Sequence, residues 1–135
     1  MIEYLLDTNI CTYLIKKKSA ALISRLQQTE PASVGLSTIV LSELEYGVEK
    51  SQRVAQNRVA LAQFVAPFEI IDYGGQAARE YGRLRRALEG QGRPIGPLDQ
   101  LIAAHALALG CTLVTNNERE FERVEGLQVE NWTTG

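Results

Sequence analysis

Apolar and polar residues alternate along the chain in short blocks, each with a strand or helix period. Glu3–Leu6 is a brief apolar run and predicts a strand, closed by a turn at Asp7-Thr8-Asn9. Ile10–Lys16 has helical spacing, with Tyr13 and Leu14 inward and Lys16-Lys17-Lys18 at its basic end. A second helix is expected over Ala20–Gln28, and a brief strand within Ser33–Ser37. Thr38–Lys50 and Gln52–Val65 read as helices; Gly47 weakens the end of the first, and Pro67 stops the second. Phe68–Ile71 predicts a strand, Gly74-Gly75 a turn and Gln76–Leu88 an amphipathic helix. Residues 90–97 hold three glycines and two prolines and read as a loop. Leu98–Leu109 is apolar around most of its surface, which predicts a central, buried helix. Thr112–Val114 is a buried strand, Glu118–Phe121 a helical turn and Leu127–Val129 a last strand.

Strands that alternate with helices imply an α/β fold in which helices cover both faces of an open, mostly parallel sheet. The expected architecture is a three-layer α/β/α domain over residues 1–135. Such sheets bind ligands at the C-terminal ends of their strands. Asp7 ends the first strand, and Thr115, Asn116 and Asn117 end the fourth.

Composition narrows the class. The chain has 135 residues, 45% hydrophobic and 22% charged, as in ordinary globular proteins. The start, Met1-Ile2-Glu3-Tyr4, has no basic leader, and no apolar run is long enough to span a membrane. Two cysteines, Cys11 and Cys111, make no disulfide framework and are expected to be free thiols in a cytoplasmic protein. The net charge of -2 argues against non-specific nucleic-acid binding through the whole surface. It leaves room for an enzyme that gathers carboxylates in one pocket behind a basic rim.

Four acids stand at element boundaries or in apolar stretches: Asp7, Glu43, Asp99 and Glu120. Carboxylates are rarely buried without a partner. If these converge, the simplest partner is a divalent cation, and its simplest use is phosphodiester hydrolysis. Each has a plainer reading. Asp7 can be a helix cap, although Thr8 or Asn9 would serve and leave Asp7 free. Glu43 and Glu45 cannot share a helix face. Glu43 has Ile39, Val40, Tyr46 and Gly47 as its neighbours and is the better inward candidate; a surface glutamate is the other reading. Asp99, two residues after Pro97, can be a first-turn acid favoured by the helix end. Glu118, Glu120 and Glu122 resemble a solvated turn, and pattern alone selects none of them. Asn116 and Asn117 either bond to a ligating carboxylate or shape the turn.

His105, the one histidine, stands six residues after Asp99 and is given a structural or surface role. A serine triad and a dinucleotide site have no support, since Gly-x-Ser-x-Gly and Gly-x-Gly-x-x-Gly are both missing. Arg79, Arg83 and Arg86 share a helical face, and Arg93 follows in the glycine-rich loop. They form a phosphate-binding rim, a seat for a partner's acids, or a solvated face.

These residues in this order resemble the PIN-domain ribonucleases, and closely the VapC toxins of bacterial VapBC toxin–antitoxin pairs. The resemblance runs from Leu6-Asp7-Thr8-Asn9-Ile10 through Ser42-Glu43-Leu44 and Tyr46-Gly47. It is strongest over Ile95–Ala106 and continues through Leu113–Asn117, Glu120-Phe121, Gly126-Leu127 and Trp132. The resemblance implies a PIN-like fold with Asp7, Glu43 and Asp99 as core acids and Glu120 as the fourth. Some members carry an acid where this chain has Asn117. Asn9 and Thr115 match supporting polar residues. It further implies Mg²⁺, with Mn²⁺ as a substitute, and endonucleolytic cleavage of RNA; several members cut transfer RNA and others ribosomal RNA. The implied partners are a cognate VapB antitoxin, whose C-terminal segment covers the site, and a second copy in a homodimer within a larger complex. Operator DNA is engaged only through the antitoxin. The first helices, around Tyr13, Leu14, Leu22 and Leu26, offer antitoxin or dimer contacts alongside a core role. The competing classes are a non-catalytic PIN-like protein-binding module and an acid-rich phosphatase.

Overall fold

The computed structural model of the chain describes residues 1–134. Among the described residues five strands form one sheet: β1 (Tyr4–Leu6), β2 (Val34–Ser37), β3 (Glu69–Ile71), β4 (Thr112–Val114) and β5 (Gln128–Glu130). Their order is β3-β2-β1-β4-β5, and all four pairings are parallel. Parallel strands need crossovers, and helices supply them. The helices are α1 (Thr8–Ile15), α2 (Ala20–Gln27), α3 (Thr38–Glu49), α4 (Val54–Val65), α5 (Gly75–Gly90), α6 (Pro97–Leu109) and the short α7 (Glu118–Phe121). They surround the sheet in the three-layer arrangement expected from the sequence. No helix among the described residues is long and apolar enough to cross a membrane.

Both faces of the central strands are covered, which explains why they read as continuous apolar runs. Leu5, Leu6, Val34, Leu36, Leu113 and Val114 are fully buried. Burying each such side chain stabilises the fold by roughly 1.5–3 kcal/mol. Leu14 and Leu22 join this core, and Tyr13 and Leu26 pack partly buried against it. Cys11 and Cys111 are buried and unbridged.

The strand order places the reversal point of the sheet between β1 and β4. After β1 the chain builds outward through β2 and β3, then returns to add β4 on the other side of β1. Crevices at such points are where parallel sheets hold ligands. Here the crevice lies beyond Leu6 and Val114. The Asp7 N–H extends the ladder by donating to the Val114 carbonyl at 3.0 Å. The Thr115 N–H does the same toward Glu130, also at 3.0 Å.

Several boundaries differ from the sequence reading, and capping explains them. Asp7 itself caps α1, so the helix starts at Thr8 instead of Ile10. Gly74 caps α5, and Gly75, read as part of a turn, is its first helical residue. First-turn N–H groups need no intrahelical partner, so glycine costs little there. α3 runs through Gly47 to Glu49, and Lys50, expected as its last residue, is its C-cap. A 3₁₀ turn, Pro31–Ser33, leads into β2, which lies within the expected Ser33–Ser37 segment. α6 opens with Pro97 and closes at Gly110, whose φ of 66° is the left-handed cap that glycine favours. His105 is buried in α6, its Nδ1 2.7 Å from Ser37 Oγ. Ser37 in turn caps α3. The histidine thus braces a helix junction; of the two expected roles, structural or surface, this is the structural one.

Candidate functional site

Four acids from four elements meet at the crevice. Asp7 follows β1 and is 4% exposed. Its Oδ1 accepts the Ile10 N–H at 2.9 Å, so it is both the cap of α1 and a member of the site. Glu43, half-buried on α3, accepts from Thr8 Oγ1 at 2.6 Å. Glu45, two residues on, faces α4 and pairs with Arg58 at 2.6 Å. Asp99 is half-buried in the first turn of α6. Glu120, on α7, is held from two sides. Gly96 N–H donates to its Oε1 at 2.9 Å, and Asn117 Nδ2 donates to its Oε2 at 2.6 Å.

The electrostatics record the convergence. Burial pushes the Asp7 carboxyl up to about 6; Thr115 and the Ile10 N–H pull it down, and the charges of Glu43 and Glu120 push it up. Asp99 is pushed up to about 7, first by burial and then by a carboxyl–carboxyl hydrogen bond with Glu120 and that group's charge. Asp7 and Glu43 add to the repulsion. Carboxylates packed together resist ionising together, unless a positive charge enters. Cys11 lies below this cluster. Burial and the Asp7 charge raise its thiol far above the usual range, which keeps it a neutral core residue.

The supporting residues divide. Thr115 is fully buried, bonds to Asp7 and accepts the Asn117 N–H at 2.9 Å. Asn117 thereby holds Glu120 from a fixed turn. Asn116 is half-buried in that turn. Asn9 is exposed, and no hydrogen bond ties it to the acids among the described residues. Arg79, Arg83, Arg86 and Arg93 are all exposed, and none bonds to the four acids among the described residues. Arg83 pairs with Glu80 on its own helix. Arg93 lies three residues before Gly96, in the loop that leads to α6 and whose Gly96 N–H holds Glu120.

Two site residues escaped the sequence reading. Thr8 passed for a spare cap, yet its hydroxyl fixes Glu43. Gly96 passed for a loop breaker, yet its N–H fixes Glu120. The signal for Thr8 was its place one residue after an acid at a strand end, where a short hydroxyl can reach a neighbouring helix. Thr8→Val keeps the branched shape and removes the donor. Loss of that donor is expected to leave the Glu43 carboxylate unfixed, read as a changed Glu43 carboxyl signal in NMR; an unchanged signal would free Glu43 from dependence on Thr8.

The donor set suits a hard divalent cation: oxygen only, carboxylate-rich, with no further histidine or cysteine. Among the described residues no three acidic groups close on one point as they stand. Mg²⁺ is usually bound by one or two carboxylates and several waters, so the two observations agree. Beside Glu43 a groove of about 1070 Å³ opens between α1, α3 and α4. Ile15, Ile39, Tyr46, Ala60, Leu61 and Leu98 line it, and its surface is mainly apolar. Tyr46 and Leu98 are exposed there, at 66% and 44%.

The PIN domain family model matches residues 4–127, which includes all four acids. The chain belongs to the VapC ribonuclease toxins of the PIN-domain family. It is 44% identical over 133 residues to the tRNA(fMet)-specific endonuclease VapC of Shigella flexneri, covering 98% of this chain and all of the relative. It is 45% identical over 130 residues to Ribonuclease VapC2 of Rickettsia felis, with 96% and 97% covered. Its fold matches the VapC-family structure of the DNA-bound VapBC complex from Salmonella typhimurium with a TM-score of 0.93 at 41% identity, covering 98% and 99% of the two chains. The Rickettsia felis VapBC2 complex, bound to a promoter DNA fragment, matches with a TM-score of 0.91 at 45% identity, covering 98% and 99%.

Proposed function

We propose that this VapC-family chain is a Mg²⁺-dependent endoribonuclease that cleaves structured RNA, with transfer RNA as the expected class. The observation that carries the reading is the convergence of four carboxylates, two of them pushed up to about 6 and about 7 by burial first and then by their acidic neighbours. The identity to a tRNA(fMet)-specific endonuclease supports the substrate class.

In this reading Asp7 and Asp99 hold the cation on rigid supports, the end of β1 and the first turn of α6. Glu43 and Glu120 complete the negative pocket, each with its oxygens oriented by Thr8, Gly96 or Asn117. Mg²⁺ when bound supplies a Lewis acid and a nucleophilic water at neutral pH. Arg93 and the exposed arginines of α5 are assigned to phosphates of the RNA backbone.

The partner is a VapB-type antitoxin. Three similar structures are VapBC complexes, from Rickettsia felis, Salmonella typhimurium and Haemophilus influenzae. The apolar groove beside Glu43 suits an apolar antitoxin segment that would end over the acids. A homodimer within a larger assembly, with operator DNA reached through the antitoxin, completes the proposed complex. Tyr46→Ala is expected to weaken binding of the cognate antitoxin by about 30-fold, the scale of a buried aromatic anchor. Free-toxin cleavage should stay the same, because Tyr46 is 66% exposed and its hydroxyl bonds to none of the four acids among the described residues. Calorimetric titration with the antitoxin, beside a cleavage assay, checks both; unchanged affinity would remove the groove from the interface.

A metal titration separates the enzyme from the non-catalytic module that keeps only the fold. Mn²⁺ binding that Asp99→Asn removes supports the enzyme, and no binding supports the module. Comparing RNA with small phosphomonoesters then separates nuclease from phosphatase.

A further inference from the structure

Gly96 precedes Pro97 and caps α6. Its φ of -55° and ψ of 148° are the extended conformation that a residue before proline favours, and any L-residue adopts it. Gly92 and Gly110 differ: their φ values of 65° and 66° lie in the left-handed region that glycine favours. The backbone gives no reason for glycine at position 96.

Space gives one. A Cβ at Gly96 would lie 3.3 Å from Asp99 Oδ2 and 3.7 Å from Glu120 Oε1. The first distance is tighter than an ordinary contact, so Asp99 would have to give by a few tenths of an ångström. The same residue's N–H donates to Glu120 Oε1 at 2.9 Å. Gly96 therefore does two things at one place. It holds the acid of α7 from its main chain, and it keeps side-chain atoms out of the gap between that acid and the acid of α6.

We propose that Gly96 is a positioning residue of the acidic pocket, whose bare Cα leaves the gap between Asp99 and Glu120 free for the divalent cation and whose N–H orients Glu120. The inference rests on the metal-dependent reading above. Gly96→Ala isolates it, because alanine keeps the N–H and suits the backbone, so the change only fills the gap.

The test is calorimetric titration of Mn²⁺ into the metal-free protein and into metal-free Gly96→Ala, with the melting temperature of each. The expected result is about ten- to hundred-fold weaker Mn²⁺ binding, the range for disturbing a ligand's support. The melting temperatures should agree within about 2 °C, because alanine suits this backbone and the tight contact is with a side-chain oxygen that can shift. Equal affinities would overturn the proposal and leave the metal reading standing. Failure of the unmodified protein to bind Mn²⁺ would overturn both. A variant that melts far lower yet binds with the original affinity would assign Gly96 to folding alone. Hydrogen exchange gives a second readout that needs no variant of Gly96. The residue-96 amide should be protected, and Glu120→Ala should release it; an amide unprotected from the start would overturn the pinning of Glu120.

Discussion

Asp7→Asn and Asp99→Asn are each expected to lower RNA cleavage by at least about 100-fold, more than the loss of a supporting partner costs a metal site. Asparagine keeps the size and one oxygen of each side chain and removes the charge. At Asp7 the amide oxygen can still accept the Ile10 N–H, so the cap of α1 survives. At Asp99 the loss relieves repulsion from Glu120, Asp7 and Glu43. Neither change leaves a hole in the core. Both variants should therefore keep the far-UV circular dichroism of the unmodified chain while losing turnover. A variant that loses its folded spectrum would make the residue chiefly structural. A folded variant that cleaves at the original rate would remove it from the catalytic set.

The second large effect concerns stability. In the unfolded chain Asp7 and Asp99 ionise near the ordinary value of 3.8; in the folded chain they hold their protons to about 6 and about 7. Between those values the folded state binds more protons than the unfolded state. Stability from these groups therefore falls as pH rises from about 4 to about 7, and the cost is fully present above that window. Asp99 is only half-buried, so solvent screens its charge and reduces its share of that cost. The metal-free protein should melt lower at pH 8 than at pH 5.5. Asp99→Asn should flatten that dependence. A cation reverses the cost by occupying the ionised pocket. At a hundred-fold excess over its dissociation constant, Mn²⁺ should raise the melting temperature by on the order of 10 °C at pH 8. At pH 5.5 protons compete, and the rise should be much smaller. Thermal scans at the two pH values, with and without Mn²⁺, decide the matter. An equal rise at both, or a metal-free protein indifferent to pH, would contradict the electrostatic account.

The alternation of strands and helices was legible because each element is short and carries its own period. The buried character of α6 was legible from its lack of a polar face. Even the preference for Glu43 over Glu45 as the inward residue followed from neighbours three and four positions away, and Arg58 on α4 now accounts for Glu45. What escaped were features that depend on one atom reaching another element. Asp7 was weighed as either a cap or a site acid, whereas one carboxylate does both, with Oδ1 on the helix and its charge in the pocket. Thr8 and Gly96 act across 35 and 24 positions of sequence, and no local period reports such contacts. Glu120 was indistinct among Glu118 and Glu122 because α7 is a single turn. The family resemblance names Glu120, and the Gly96 and Asn117 donors hold it.

The most direct test of the central claim is to incubate purified, antitoxin-free protein with total bacterial RNA and Mg²⁺, beside Asp7→Asn, and to map new RNA ends by sequencing. Discrete ends made by the unmodified protein alone are the expected result, and they would also name the target. Identical end profiles for the two proteins, with Mg²⁺ bound by the unmodified one, would contradict the account and leave a PIN-like module that keeps its acids without cutting RNA.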